Sequence, residues 1–425
     1  MAVLRGSSPD DTRRVSAAVA AAGLSSFALL YSPQPVLPQL AAAYGLDPGS
    51  ASLAVGVATG SLAVAVLPLA WLAGRVGRRR VILWAVLVPA LLGLLLPLAP
   101  SFPVLLVLRA AQGVAIAGFA GVAAAYLADQ LGTSRLAGAV GAMIAGNSVG
   151  GMLGRLGAGF AAGPLGWQGS QFAVAAVALI CAGFAAATLP DGSATETTKT
   201  GNGARARAGT EAEAGTAAGP EAAGRTWAVL GVPVAVGGLA MGAFVAVYNA
   251  AGFRLAAPPI SLSPAAASLV FLSYAMGTMS SAAAGRLTAC LGRTAALVAA
   301  LGVTAAGSVL TAHSSLAVIV TGFAVLTAGF FAAHAIANAW VTADAPPRAR
   351  GRAAGIYTLC YYLGSGAGGT AGAIVYGHAG WPWLIAMTCG WLLLAALLVL
   401  TARRASPPRR VVEKAAPAVK TGQDA

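Results

Sequence analysis

The chain of 425 residues carries 26 Lys and Arg against 12 Asp and Glu, a formal charge of +14, yet only 9% of it is charged and 58% is hydrophobic. An ordinary soluble domain has about 25% charged residues, so this composition excludes a water-facing globule. No basic stripe interleaved with aromatic residues points to nucleic acid, and Cys181, Cys290, Cys360 and Cys389 show no paired spacing for a disulfide or a metal, so neither metal nor cofactor is expected.

Crossing a hydrocarbon core of about 30 Å takes roughly 20 apolar residues, and runs of that length recur along the chain. Residues 1–14 read as a short tail with Arg5, Arg13 and Arg14. Six runs then fill 15–189: Val15 to Leu37, Ser52 to Leu72, Val81 to Leu98, Val104 to Leu127, Leu136 to Gly163 and Phe172 to Leu189. Residues 190–226 turn to Pro, Gly, Thr, Glu and Ala and read as a disordered linker. A second set of six fills 227–402: Trp227 to Tyr248, Ala265 to Leu287, Thr294 to Ala312, Leu316 to Val341, Ala353 to Tyr376 and Trp381 to Thr401, before a basic tail over 403–425.

Inside lipid every backbone N–H and C=O needs an internal partner, and these runs lack the alternation of barrel strands, so they are helices. The expectation is an all-α polytopic membrane protein with 12 transmembrane helices in two six-helix halves. With both termini and the linker in the cytoplasm, all Lys and Arg except Arg109, Arg155 and Arg254 fall in cytoplasmic segments. That is the positive-inside pattern of an inner membrane protein.

The halves repeat at an offset of about 215 residues. Gly146, Gly150, Gly151, Gly154 and Gly159 recur as Gly364, Gly368, Gly369, Gly372 and Gly377, Gly166-Trp167 as Gly380-Trp381, Gly77-Arg78 as Gly292-Arg293, and Asp129 as Asp344. Glycine rows let helices pack closely. A duplicated six-helix unit is also how transporters build two halves that rock around a midplane site.

The stretch Ala70-Trp71-Leu72-Ala73-Gly74-Arg75-Val76-Gly77-Arg78-Arg79 resembles the hallmark loop G-x-L-x-D-R-x-G-R-R of the major facilitator superfamily, and Arg109-Ala110-Ala111-Gln112-Gly113 resembles its R-x-x-Q-G. Tyr31 to Pro38 and Gly146 to Arg155 look like a bacterial exporter branch of that family. The resemblance implies a gating loop built from Arg75, Gly77, Arg78 and Arg79, with Asp129 meeting Arg75 or Arg78 when the protein opens outward, and Arg293 and Asp344 as counterparts. Gly74 stands where the family has an acid. By the same resemblance, Arg109 and Gln112 face a central cavity that handles substrate or protons.

An arginine at the bilayer centre costs about 2.5 to 3.5 kcal/mol, so Arg109 and Arg155 are expected to line the cavity, with snorkelling to the interface as the alternative. Neither has a charged repeat mate, for Arg109 aligns with Ala324 and Arg155 with Ala373. No Asp or Glu lies deep in a span. His334, with Asn338 one turn on, is the histidine placed to titrate if it faces the cavity, and Tyr31, Gln34, Asn147, Tyr274, Tyr361 and Tyr362 add hydrogen-bonding groups on cavity helices. Tyr248, near a span end, reads as an interfacial belt residue.

The expectation for function is a non-enzymatic, monomeric secondary transporter, a proton-linked exporter of a small neutral or anionic amphipathic compound working by alternating access. Uptake of a small organic anion is the rival within transport, and a membrane sensor or intramembrane enzyme the rival outside it.

Overall fold

The computed structural model describes residues 9–190, 220–346 and 349–405, all of them helices and the turns between, with no strand among the described residues. In chain order these are α1 (Pro9–Tyr31), α2 (Leu37–Tyr44), α3 (Pro48–Val76), α4 (Arg78–Leu95), α5 (Phe102–Thr188) and α6 (Pro220–Ala256). Then come α7 (Pro264–Ser268), α8 (Tyr274–Leu291), α9 (Arg293–Leu310), α10 (Leu316–Asp344), α11 (Arg350–Ala379) and α12 (Trp381–Ala405).

Among the described residues, ten stretches are long and apolar enough to cross a membrane. One of them, Gly138–Thr188, has 51 residues, enough at about 1.5 Å per residue for two crossings. It doubles back near Gly166, whose φ of 67° glycine adopts without strain. Both limbs pass α1 at one height: Gly150 lies on the backbone of Leu24, and Ser25 Oγ donates to Ala178 O. The glycine-rich α11, 30 residues long, is less apolar than these but is seated against α6 and α3, which completes twelve crossings.

The repeated glycines have matching jobs in the two halves. A methyl on Gly146, Gly150 or Gly154 would stand within 2.5 Å of the α1 backbone at Ala20, Leu24 and Ala28. One on Gly364 or Gly368 would stand within 2.3 Å of Gly238 or Gly242 in α6. Replacing Gly368 with alanine should therefore lower stability by about 1–3 kcal/mol through overpacking, whereas Gly183→Ala, with open space around it, should be neutral. Apparent melting temperatures of the purified variants check this. Four further repeated glycines sit at positive φ where the chain reverses, Gly77 (97°) and Gly292 (77°) before arginine, Gly166 (67°) and Gly380 (81°) before tryptophan.

Several boundaries differ from the expected ones. The first span is not one helix to Leu37: Pro33, Pro35 and Pro38 lack the N–H that α-helical bonding needs, so α1 stops at Tyr31 and a 3-10 turn, Gln34–Val36, leads into α2. The span that follows Ser263 likewise starts as α7 and a 3-10 turn, Leu269–Ser273, before α8. Helix also begins earlier than expected, at Pro9 and at Pro220; the rest of the expected linker from 191 to 219, and the basic tail beyond 405, lie outside the described residues.

The arginine-rich loops gather at one end of the bundle, and the reversals at residues 45–47, 166, 257–263 and 380 at the other. At that second end the two halves meet closely. Gly159 abuts Ser268, Gly252 abuts Pro38, and Gly377 abuts Pro48. Deeper, Gly56 and Gly366 bring α3 and α11 into backbone contact.

Candidate functional site

Between the halves, under that closed end, lies a cavity of about 120 Å³, lined as small-molecule sites are by aromatic and apolar side chains with a few polar groups. Its walls include Tyr31, Asn147, Arg155, Tyr274, Tyr361 and Tyr362, all expected from the sequence. Phe27, Ser148, Met241, Phe244, Thr278, Phe330 and Phe331 line it as well and were not expected. A signal for the aromatic members exists in the spacing. Phe27 and Tyr31, Phe244 and Tyr248, Phe330 and His334, and Tyr357 and Tyr361 are each four apart, which places each pair on one helix face.

Arg155 is 2% exposed and forms the roof of this void. Helical spacing puts it on the face of α5 that carries Gly151, whose carbonyl accepts from Arg155 Nη1 at 2.8 Å. Its Nε donates to Gln34 Oε1 at 2.6 Å, and its guanidinium carbon sits 4.0 Å from the Tyr31 ring centroid and 4.7 Å from that of Tyr274. Stacking of this kind holds a planar cation while leaving its edge free. Nη2 makes no hydrogen bond among the described residues. No carboxylate lines the void, so its net formal charge is that of Arg155. Gln34 is not itself a wall residue; buried behind Arg155, its Nε2 donates to Asn249 Oδ1 of α6 at 2.7 Å.

Arg109 and Gln112 do not line the cavity, contrary to expectation, and Arg109 does not snorkel either. Arg109 is fully buried, donating to Leu29 O (3.0 Å), Leu30 O (2.6 Å), Ala54 O (2.6 Å) and Gln112 Oε1 (2.5 Å), while Gln112 Nε2 donates to Pro89 O at 2.8 Å. The physical reason lies in Pro33. Leu29 O would normally accept from the N–H four residues on, and proline has none, so Arg109 supplies donors to the end of α1.

Two more residues fall away from the walls. Asn338 is exposed on the outside of α10. His334 sits one layer behind the cavity, with Nδ1 2.8 Å from the Tyr357 hydroxyl and its ring 4.6 Å from that of Tyr361. Tyr248 is no belt residue. It is fully buried, bonded to Ser273 Oγ (2.5 Å) and Thr327 Oγ1 (2.7 Å), and packed on Phe244 and Phe271.

At the arginine-rich end, Arg78 pairs with Asp129 and Arg293 pairs with Asp344 through two 2.9 Å bonds, each partner 51 residues along. Arg75 instead stacks on Trp71 at 3.4 Å, and Arg79 caps α5 by donating to Leu189 O. The Arg78–Asp129 pair is formed here with the opposite end closed, so it does not wait for outward opening.

The profile of the Major Facilitator Superfamily matches this chain twice, over residues 19–248 and 239–422. The chain belongs to that superfamily. It is 37% identical to the inner membrane transport protein YnfM of Escherichia coli over 391 residues, covering 91% of this chain and 89% of YnfM. It is 31% identical to the uncharacterized MFS-type transporter YybF of Bacillus subtilis over 386 residues, 91% and 92% of the two chains. Among solved structures, a bacterial homologue of the human lysosomal transporter Spinster in an inward-facing, unoccupied conformation superposes with a TM-score of 0.73 at 18% identity, over 94% of this chain and 98% of that one. A D-xylose–proton symporter gives 0.72 at 14% identity, over 93% and 98%. The chain is a multi-pass membrane transporter of the facilitator fold, not an enzyme, and alternating access between its halves moves a small molecule.

Proposed function

We propose that this transporter exports a small amphipathic compound, anionic rather than neutral, in exchange for protons. The observation that supports it is Arg155: one guanidinium with a free edge, in a mid-depth void walled by aromatic rings and lacking a carboxylate. A lipophilic cation would meet repulsion there with no acid to offset it, whereas an anion on an aromatic body satisfies both the charge and the rings.

The units in this reading run over 15–189 and 227–402, joined by 190–226, with the arginine-rich end and both termini cytoplasmic at the inner membrane and the protein acting as a monomer, without nucleic acid. His334 and Tyr357, hydrogen-bonded behind the aromatic wall, are the groups proposed to carry the proton.

The test uses benzenesulfonate, which stays ionised and does not cross lipid by itself. Purified protein in liposomes should exchange labelled benzenesulfonate against unlabelled anion, uncharged benzenesulfonamide should not compete, and a pH gradient acidic on the outer face should drive the anion toward that face. Accumulation in the opposite direction would establish uptake of an organic anion instead. Absence of exchange across aromatic sulfonates and carboxylates would overturn the anion reading.

A further inference from the structure

The contact between halves at the closed end is mostly apolar glycine packing, and it encloses a buried polar crossing, Gln34 Nε2 to Asn249 Oδ1 at 2.7 Å. Gln34 is 1% exposed and Asn249 fully buried. The other end of the same amide, Oε1, is held by Arg155 at 2.6 Å. This amide therefore hydrogen-bonds the roof of the cavity to the partner half, beside the ring contact that Arg155 makes with Tyr274. It stands in the 3-10 turn Gln34–Val36 that separates α1 from α2.

We infer that Gln34 is the residue through which an anion in the cavity releases the closed end. This rests on the anion reading above. The guanidinium of Arg155 now bonds a neutral amide oxygen. An anion would add the attraction between two full charges, which the neutral amide lacks, and the dry roof of the cavity magnifies that attraction. An anion arriving from the void reaches the free edge of Arg155 and draws the guanidinium from Gln34 Oε1. The amide then loses the partner that fixes its orientation, and with it the hydrogen bond to Asn249.

An empty cavity keeps the latch; an occupied one loosens it. That ordering prevents the closed end from opening without cargo, since a ligand shifts a conformational equilibrium only by its differential contact with the two states. Space beyond the latch already exists. A cavity of about 220 Å³ is bounded by Pro35, Pro38 and Gly252.

Opposite substitutions at one position test this. The reporter is Ser268→Cys, a site buried against Gly159 at the closed end, in the full chain with Cys181, Cys290, Cys360 and Cys389 replaced by serine. Purified protein is labelled with a bulky maleimide. Gln34→Ala removes the latch and should raise the labelling rate about fivefold without any ligand, the factor one net hydrogen bond represents, and make it indifferent to benzenesulfonate. Gln34→Glu keeps the shape but gives Arg155 a permanent carboxylate. Asn249 Nδ2, buried without a partner, can turn to donate to that carboxylate. The glutamate variant should label more slowly than the parent and bind benzenesulfonate at least about tenfold more weakly.

In the parent, benzenesulfonate should speed labelling and benzenesulfonamide should not. A merely structural glutamine would send both variants the same way, and that result overturns the inference. Benzenesulfonate that binds the parent without changing its labelling overturns the release step while leaving the anion reading intact. Opposite shifts in the two variants, with no aromatic anion binding the parent, would sink the anion reading and the trigger together and keep the latch alone.

Discussion

Replacing Arg155 with glutamine should weaken benzenesulfonate binding about 10- to 100-fold, the worth of hydrogen bonds to a charged group, while the protein still folds and inserts. The side chain is held by Gln34 Oε1, one backbone carbonyl that its own helix already engages, and the faces of Tyr31 and Tyr274. Glutamine can fill much of that space without stranding a buried acid, because none is there. Lysine should restore part of the affinity, since it returns the charge but not the planar edge that lies between the rings. Affinity for uncharged benzenesulfonamide should change little in either variant. Titration of the purified proteins decides the matter, and equal benzenesulfonate affinity in all three would remove Arg155 from the site.

Arg109 should behave in the opposite way. Methionine in its place keeps the volume but withdraws the donors to Leu29 O, Leu30 O and Ala54 O, all in the fully buried surroundings of α1, α3 and α5. Each buried acceptor left unsatisfied costs about 1–3 kcal/mol. Leu29 and Leu30, at the end of α1, have the least recourse, since the helix has stopped and Leu29 O, which lacks an N–H from Pro33, keeps only a 3.4 Å bond from Ser32 Oγ. Two such losses, about 2–6 kcal/mol together, are a large share of the stability of an ordinary fold, about 5–15 kcal/mol, so Arg109→Met should yield much less monodisperse protein. Arg109→Lys should recover only a fraction, as one ammonium cannot span carbonyls on two helices. Size-exclusion profiles at equal expression check this, and a well-folded Arg109→Met variant impaired only in transport would return Arg109 to the cavity.

The contrast between the two arginines shows where sequence reading runs out. Both are single charges in apolar runs without a charged repeat mate, and hydropathy treats them alike. What separates them is the chain opposite each one. Arg109 meets backbone carbonyls, one of them left open by Pro33, and Arg155 meets rings and an amide. Pro33 was visible in the sequence, and the carbonyl it leaves open could have been set against a buried donor.

The fold was far more legible, because apolar run length and paired glycines are local facts with global consequences. Gly77, Gly166, Gly292 and Gly380 mark reversals that the repeat had already matched. The aromatic walls were hidden by their setting, since Phe244 or Phe330 in a run of Ala, Val and Leu gives no contrast, and only its one-turn companion shows the face. Tyr357 escaped for the same reason, and Tyr248 was misplaced because α6 runs eight residues beyond it, to Ala256.

The glycine seams of the two halves also set which distances stay constant during transport. With backbone on backbone at Gly150 and Leu24 and at Gly154 and Ala28, α1 and the first limb of the α5 hairpin have no side chains between them to repack, so they travel as one solid piece. Tyr31 and Arg155 ride on that piece, and the backbone separation of α1 and α5 beneath them is a fixed length, an internal zero for any distance measurement. Tyr274 rides on the other half. The 4.7 Å from Arg155 to its ring is then the gauge that lengthens when the closed end parts, so a spectroscopic pair across α5 and α8 would read the stroke of the transporter while one across α1 and α5 reads only its own noise.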